Sequence, residues 1–319
     1  MNTAHGTRPA RRALFVLGAG AALAACVPSG GAASAASAAG PESPASPTAS
    51  PPLSGRAREA SRRLRALESE HGARLGVFAR NLDTGETVVR RADERFPMCS
   101  LFKPVAAAAI LRDHDRRGEF LARRIRYGTT DLVEHSPITG KHVAQGMTVG
   151  ELCDAAIRYS DNTAANLLLR ELGGPRAVTR FCRSVGDRTT RLDRWETELN
   201  SAEPWRMEDT TSPRAIARTY TRLIVGDTLS SADRERLTGW MLANTTSGER
   251  FRAGLPADWD LADKTGGGAY GTNNNAGVAW TPDRAPIVLA VLTTKPAPDA
   301  APDNELIAET AELLASALG

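Results

Sequence analysis

The chain has 319 residues, 41% hydrophobic and 24% charged, which is enough for one large or two small domains with a substantial core. The net charge is +3, and residues 1 to 54 supply +2 of it through Arg8, Arg11 and Arg12 against Glu42, so no nucleic-acid footprint is present. Of the 40 basic residues only four are lysines, Lys103, Lys141, Lys264 and Lys295. In so arginine-rich a chain a retained lysine is informative, because lysine can release its proton and arginine cannot.

The N-terminus predicts an export signal. Arg8, Arg11 and Arg12 form a basic n-region, and residues 13 to 25 (ALFVLGAGAALAA) form an apolar stretch too short to span a bilayer as a stable helix. The stretch ends in Leu23-Ala24-Ala25-Cys26, which resembles the lipobox at which bacterial lipoproteins are cleaved and acylated. Membrane anchoring through a lipidated Cys26 is therefore expected, with ordinary secretion after an Ala-x-Ala site as the alternative. The Arg11-Arg12 pair leaves Sec and twin-arginine export both open. Residues 27 to 54 are Ala, Ser, Pro and Gly almost throughout and predict a disordered tether, so the folded part spans 55 to 319. Without Cys26 three cysteines remain, Cys99, Cys153 and Cys182, which cannot form a complete disulfide framework. No Cys/His cluster suggests a metal site, and no cofactor is expected.

Residues 56 to 71 place Ala57, Ala60, Leu64 and Leu67 at helical spacing, and RLGVFARNLDTGETVVR reads as a β-hairpin turning at Asp83-Thr84-Gly85. A helix is expected to begin at Ser100 and run through VAAAAIL, with Pro104 tolerated in its first turn. From there to about residue 242 the pattern is helices and polar loops. DWDLADKTG, NNNAGVAWTP and PIVLAVLTTKP then predict three strands, and residues 303 to 318 a closing amphipathic helix behind an acidic cap. Strands at both ends with helices between imply an α/β (α+β) fold. Its antiparallel sheet subdomain comprises residues 55 to 98 and 243 to 319, and an inserted all-helical subdomain spans 99 to 242. The cleft between them is the natural place for a site.

Four short elements could carry chemistry. Ser100 and Lys103 (CSLFKP) lie on one side of a helix start, whose field favours an alkoxide and disfavours a charged ammonium. Ser160-Asp161-Asn162, Arg194-Trp195-Glu196-Thr197-Glu198-Leu199-Asn200 and Lys264-Thr265-Gly266-Gly267-Gly268 follow in that order. Each alone has an ordinary structural explanation: a helix cap, a polar helix end, a charged loop, a hairpin exit. About a third of chains of this composition would hold one Ser-x-x-Lys by chance. All four together, in this order and spacing, are not accidental.

On these elements residues 55 to 319 resemble the class A serine β-lactamases, of the exported actinobacterial type, which share S-x-x-K, S-D-N, E-x-E-L-N and K-T-G motifs. The resemblance implies that Ser100 is the nucleophile that opens a β-lactam and becomes acylated. It leaves Lys103 and Glu196 as alternative bases for acylation. It implies that Ser160 passes a proton to the departing nitrogen and that Lys264 supplies positive potential. Asn162 would bind the acylamido side chain, Asn200 would hold the hydrolytic water with Glu196, and the amides of Ser100 and Gly267, with Gly266 beside them, would form the oxyanion site. Arg194 and Asp209 would pair at the neck of the omega loop. The partner is a small-molecule β-lactam, and a monomer is expected.

Four departures bear on specificity. Asn273 stands where many members carry an arginine for the substrate carboxylate. Arg250 matches the position other members use instead, with Thr265 as its hydroxyl partner. His135 replaces the usual aromatic at the cleft rim, and Thr197 replaces a common proline, so a cis peptide after Glu196 is not assured. Gly268 cannot bridge to Cys99, as family carbapenemases do, which lowers the expectation of carbapenem hydrolysis. A penicillin-binding D-Ala-D-Ala peptidase would not need the Glu196 and Asn200 segment. A β-lactam-acylated sensor lipoprotein would need a signalling segment after the domain.

Overall fold

A computed structural model describes residues 55 to 319; the expected export signal with Cys26 and the tether lie outside the described residues. Helix α1 (Gly55–Glu70) opens this part and buries Ala57, Ala60, Leu64 and Leu67, as their spacing predicts. The expected hairpin follows as β1 (Arg74–Asn81) and β2 (Thr87–Arg90). Asn81 Oδ1 accepts from the amides of Asp83 and Thr84, both at 3.0 Å, which sets its turn.

The middle of the chain supplies α2 (Lys103–Ala109), α3 (Val149–Arg158), α4 (Asn162–Glu171), α5 (Arg176–Ser184), α6 (Pro213–Ile224) and α7 (Ser231–Leu242). Their starts are capped as their residues allow: Thr148 with Glu151 as a capping box, Asp161 on the Ala164 amide, Ser212 on the Ala215 amide. Such caps contribute about 1 kcal/mol each. Every residue of α2 is buried, because α3, α4, α5 and α7 surround it. An alanine-rich sequence suits that position, since small side chains let neighbouring helices approach closely.

The strands β3 (Asp260–Gly268), β4 (Thr272–Trp280) and β5 (Pro286–Thr294), then helix α8 (Asn304–Leu318), complete the fold as predicted. The sheet is antiparallel in the order β2-β1-β5-β4-β3. The first strand therefore pairs with the last, from Arg74 opposite Thr294 to Asn81 opposite Ile287. Strand alternation separates two faces. Leu75, Val77, Ala79, Ile287, Leu289 and Val291 join the cluster formed with α1 and α8. Phe78, Ala276, Val278, Val288, Ala290 and Leu292 face the larger core shared with α2 to α7. Position 76, on this second face, is glycine because a Cβ there would meet the Phe96 ring at 2.5 Å.

Two expectations need correction. The helix does not start at Ser100: residues Cys99–Phe102 form a 3-10 turn, and α2 begins at Lys103. The cause is Pro104, which has no N–H for the Ser100 carbonyl, so that carbonyl accepts from Lys103 N one residue earlier. The segment 99 to 242 is also not wholly helical. Arg124–Ile125 pairs with Met147–Thr148, and Thr210–Thr211 pairs back to Phe96–Pro97. Helix α6, moreover, packs directly on β1, β4 and β5.

Candidate active site

The 3-10 turn that carries Ser100 packs on β3 and β4. Cys99 just before it has φ 47°, left-handed for a non-glycine residue, and its buried thiol is pushed well above the ordinary cysteine value by desolvation. Ser100 is 6% exposed, and its hydroxyl lies 3.5 Å from Glu196 Oε1. Lys103 projects from the first turn of α2 into a fully buried polar nest. Its ammonium donates to Asn162 Oδ1 at 2.6 Å and to Ser160 O at 2.7 Å, and stands 3.1 Å from Glu196 Oε1. Burial holds the Lys103 pKa below the ordinary lysine value and outweighs the opposing pull of Glu196.

Ser160 sits at the junction of α3 and α4 with φ 56°. Buried Asp161 fixes that junction: its carboxylate accepts from the amides of Ala164 and Thr139 and from the Thr139 hydroxyl. Lys264 on β3 comes from the sheet side, its ammonium 3.1 Å from Ser160 Oγ and 2.9 Å from Thr265 O. Burial, and then the charge of Lys103, lower the Lys264 pKa well below the ordinary value. Ser160 thus stands between two desolvated lysines, since Lys103 Nζ is 3.4 Å from the same hydroxyl.

The omega loop forms the opposite wall. Arg194 Nε donates to Asp209 Oδ2 at 2.6 Å, and the amides of Asp193 and Arg194 donate to Asp209 Oδ1, so the expected pair closes the neck. The Glu196–Thr197 peptide is cis without a proline. Asn166 brackets Glu196 by accepting from its amide at 3.0 Å and donating to its carbonyl at 2.8 Å. Asn200 Nδ2 donates to Glu196 Oε2 at 2.6 Å, while Asn200 Oδ1 is buried without a protein partner.

Between these walls lies a cleft of about 730 Å³ lined by Ser100, His135, Ser160, Asn162, Asn200, Arg250, Thr265 and Gly267. Another cavity, of about 540 Å³ and lined by Leu121, Met147, Asp154 and Trp240, holds none of the predicted residues. Arg250 is partly buried and is held by Asn304 Oδ1 at 3.0 Å and the Asn274 carbonyl at 3.3 Å. Asn273, which occupies the position where other members carry an arginine, donates to the same Asn304 oxygen at 3.1 Å. The Thr265 hydroxyl is 2.5 Å from that of Thr246. A Cβ on Gly266 would lie 3.0 Å from Met98 O and 3.3 Å from Ser100 N, so only glycine lets β3 pass so close to the nucleophile's amide. A Cβ on Gly268 would fall 2.9 Å from Cys99 Sγ, which places those two positions side by side. His135 is exposed at the rim with φ 57°, its ring 3.0 Å from Tyr159 O. Among the described residues no cluster of His, Cys, Asp or Glu would hold a metal ion.

All the predicted site residues converge here. The motifs do not point to three others. Asn166 lies one turn after Asn162 on α4, and that i, i+4 spacing was the available signal. Thr246 and Asp263 had none. Asp263 lies beneath Lys264 on β3, fully buried, accepting from Asn275 at 2.7 Å, Asn244 at 2.9 Å and Ser247 at 3.2 Å. Desolvation raises its pKa against those hydrogen bonds.

The family model described as the β-lactamase enzyme family matches residues 59 to 318. A β-lactamase of Streptomyces lavendulae is 62% identical over 98% of this chain and 99% of its own length, and one of Streptomyces albus G is 59% identical over 98% of each. The solved structure of a β-lactamase from Streptomyces albus G has a TM-score of 0.81 and 63% identity, covering 82% of this chain and all of that one. An ancestral class A β-lactamase structure has a TM-score of 0.78 and 54% identity, covering 81% of this chain and 99% of that one. The chain is a member of the β-lactamase enzyme family, of the class A kind.

Proposed function

We infer that the protein hydrolyses the amide of penicillins and cephalosporins through a serine acyl-enzyme and so confers resistance to them. The observation that carries this reading is the Glu196 carboxylate, held by Asn200 on a backbone fixed by Asn166, with Oε1 3.5 Å from Ser100 Oγ. An ester on a buried serine persists unless a base activates water beside it, and Glu196 is that base.

Ser100 Oγ attacks the lactam carbonyl carbon. Its proton enters the Glu196–Lys103 pair, whose two members are 3.1 Å apart. Both bases remain available on this geometry: a lysine with a depressed pKa, and a carboxylate within reach of the hydroxyl. The developing oxyanion takes hydrogen bonds from the amides of Ser100 and Gly267, where one donor is typically worth about 10²–10³ in rate. The C–N bond then breaks, and Ser160 protonates the nitrogen, drawing on the neighbouring lysines. Asn162 binds the acylamido group, while Arg250, Thr265 and Lys264 attract the substrate carboxylate. In the second half Glu196 takes a proton from water held with Asn200, the hydroxide attacks the ester, and Ser100 leaves with that proton restored. His135 forms part of the rim against which the substrate rests.

The purified domain should turn over a chromogenic cephalosporin many times. A single stoichiometric burst would instead fit an acylated peptidase or sensor. We further propose that the protein is exported as a monomer and anchored to the outer face of the membrane through lipidated Cys26. The basic n-region, short apolar stretch and Leu-Ala-Ala-Cys ending support this. Cys26→Ser should release the enzyme into the medium, and retention on the cell would count against anchoring.

A further inference from the structure

The omega loop is braced at its neck by Arg194–Asp209 and at Glu196 by Asn166, but its outer flank carries a different kind of contact. Trp205 and Met207 are 71% and 51% exposed on that flank, an unusual place for large apolar side chains. Trp205 stands edge-on to Tyr270, with ring centroids 5.4 Å apart and planes at 84°. Tyr270 belongs to the turn between β3 and β4 and adopts φ 57°, a conformation that must be held by its surroundings. Its amide donates to Pro298 O at 2.9 Å, and its carbonyl accepts from Lys295 N at 2.6 Å. Lys295 is itself paired with Asp303 at 3.1 Å. Tyr270 is thus a fixed platform at the end of the sheet.

One residue earlier, Ala269 N donates to Asn200 O at 2.9 Å, a second link between the same two segments. Asn200, Ser201, Gly268 and Ala269 line the cleft where loop and sheet meet. A substituent too large for that part of the cleft can be admitted only if loop and turn separate, and separation breaks the ring pair.

We propose that Trp205 and Tyr270 are positioning residues, an aromatic clasp that fixes the gap between the omega loop and the end of β3 and thereby limits the bulk of the acylamido group the cleft accepts. The proposal rests on the β-lactam reading above, in which Asn162 receives that group. An edge-to-face pair biases an open–closed equilibrium by roughly two- to tenfold.

The test compares Trp205→Ala and Tyr270→Ala with Tyr270→Phe, which keeps the ring. Two readouts are taken: kcat/KM for benzylpenicillin and for a cephalosporin with a bulky oxyimino side chain, and hydrogen exchange of peptides covering residues 194 to 209. Both alanine variants should raise the bulky-to-small ratio of kcat/KM by roughly two- to tenfold, mainly through a lower KM for the bulky substrate, and speed exchange of the loop. Tyr270→Phe should match the parent in both. An unchanged ratio, unchanged loop exchange, or the same change in Tyr270→Phe overturns the clasp. If the parent hydrolyses no β-lactam, the functional reading fails instead, and the exchange comparison still decides whether the ring pair holds the loop.

Discussion

The two walls of the cleft are built on different principles. The wall bearing Ser100, Lys103, Ser160 and Lys264 consists of helix starts and the edge strand β3, locked by burial: both lysines are 0% exposed. The wall bearing Glu196 and Asn200 is a loop with little regular structure, held by hydrogen bonds and ion pairs at Asn166, Arg194 and Asp209. Left-handed backbone at non-glycine residues occurs on both, at Cys99 and Ser160 on one and at Ala202 and Asp209 on the other. Packing holds the first wall's strained residues, and a charged web holds the second's. On the proposed mechanism deacylation depends on the braced loop, whereas acylation can draw on Lys103 of the rigid wall or on Glu196, so the two half-reactions should respond differently to mutation.

The largest effect should come from the rigid wall. Ser100→Ala removes the acylated atom, so turnover should fall by about 10⁴–10⁶-fold and no covalent adduct should form in mass spectra. Glu196→Ala should divide the two walls most clearly. It should still acylate, lose about 10²–10⁴ in turnover and accumulate an adduct of the substrate's mass. Rapid turnover by that variant would remove the loop's assigned role.

Arg250→Ala should raise KM about tenfold or more for substrates bearing the carboxylate while leaving kcat nearly unchanged, as loss of a charged hydrogen bond predicts. Unchanged kinetics would reject it. For Lys264 the pH profile is the sharper probe. The charged form attracts substrate, and its pKa is lowered from 10.5, so kcat/KM should decline with rising pH well before 10.5. Lys264→Arg keeps its charge at high pH and should extend the plateau; a limb that does not move would assign the decline elsewhere. The smallest change in chemistry and the clearest in stability should follow Arg194→Ala. It leaves Asp209, 2% exposed in its side chain, without its ion-pair partner and should cost about 3 kcal/mol in denaturant melts. Its deacylation should suffer before its acylation does.

Much of this is legible in the sequence for a physical reason. The hairpin and the last three strands are marked by alternating or continuous apolar runs between Gly, Asn and Pro, and α1 and α8 by a single apolar stripe. Local periodicity carries those features. The pairing of β1 with β5 joins residues about two hundred positions apart, and no local pattern encodes it. The 3-10 turn at Ser100 depends on one missing N–H at Pro104, visible only when the hydrogen-bond partners are counted. The site divides likewise. Ser100, Lys103, Ser160, Glu196 and Lys264 lie in short motifs, whereas Asp263 reads as an ordinary strand residue and Thr246 as loop. Their importance arises from partners on other segments.

The burial of Lys103 and Lys264 also makes the surface unusually simple for a chemist. Among the described residues only Lys141 and Lys295 remain as side-chain amines, and Lys295 is engaged with Asp303. Lys141 is exposed, on a 3-10 turn, and is not among the residues that line the cleft. Amine-directed dyes, tethers or cross-linkers should therefore attach predominantly at that one side chain and leave the reacting groups untouched.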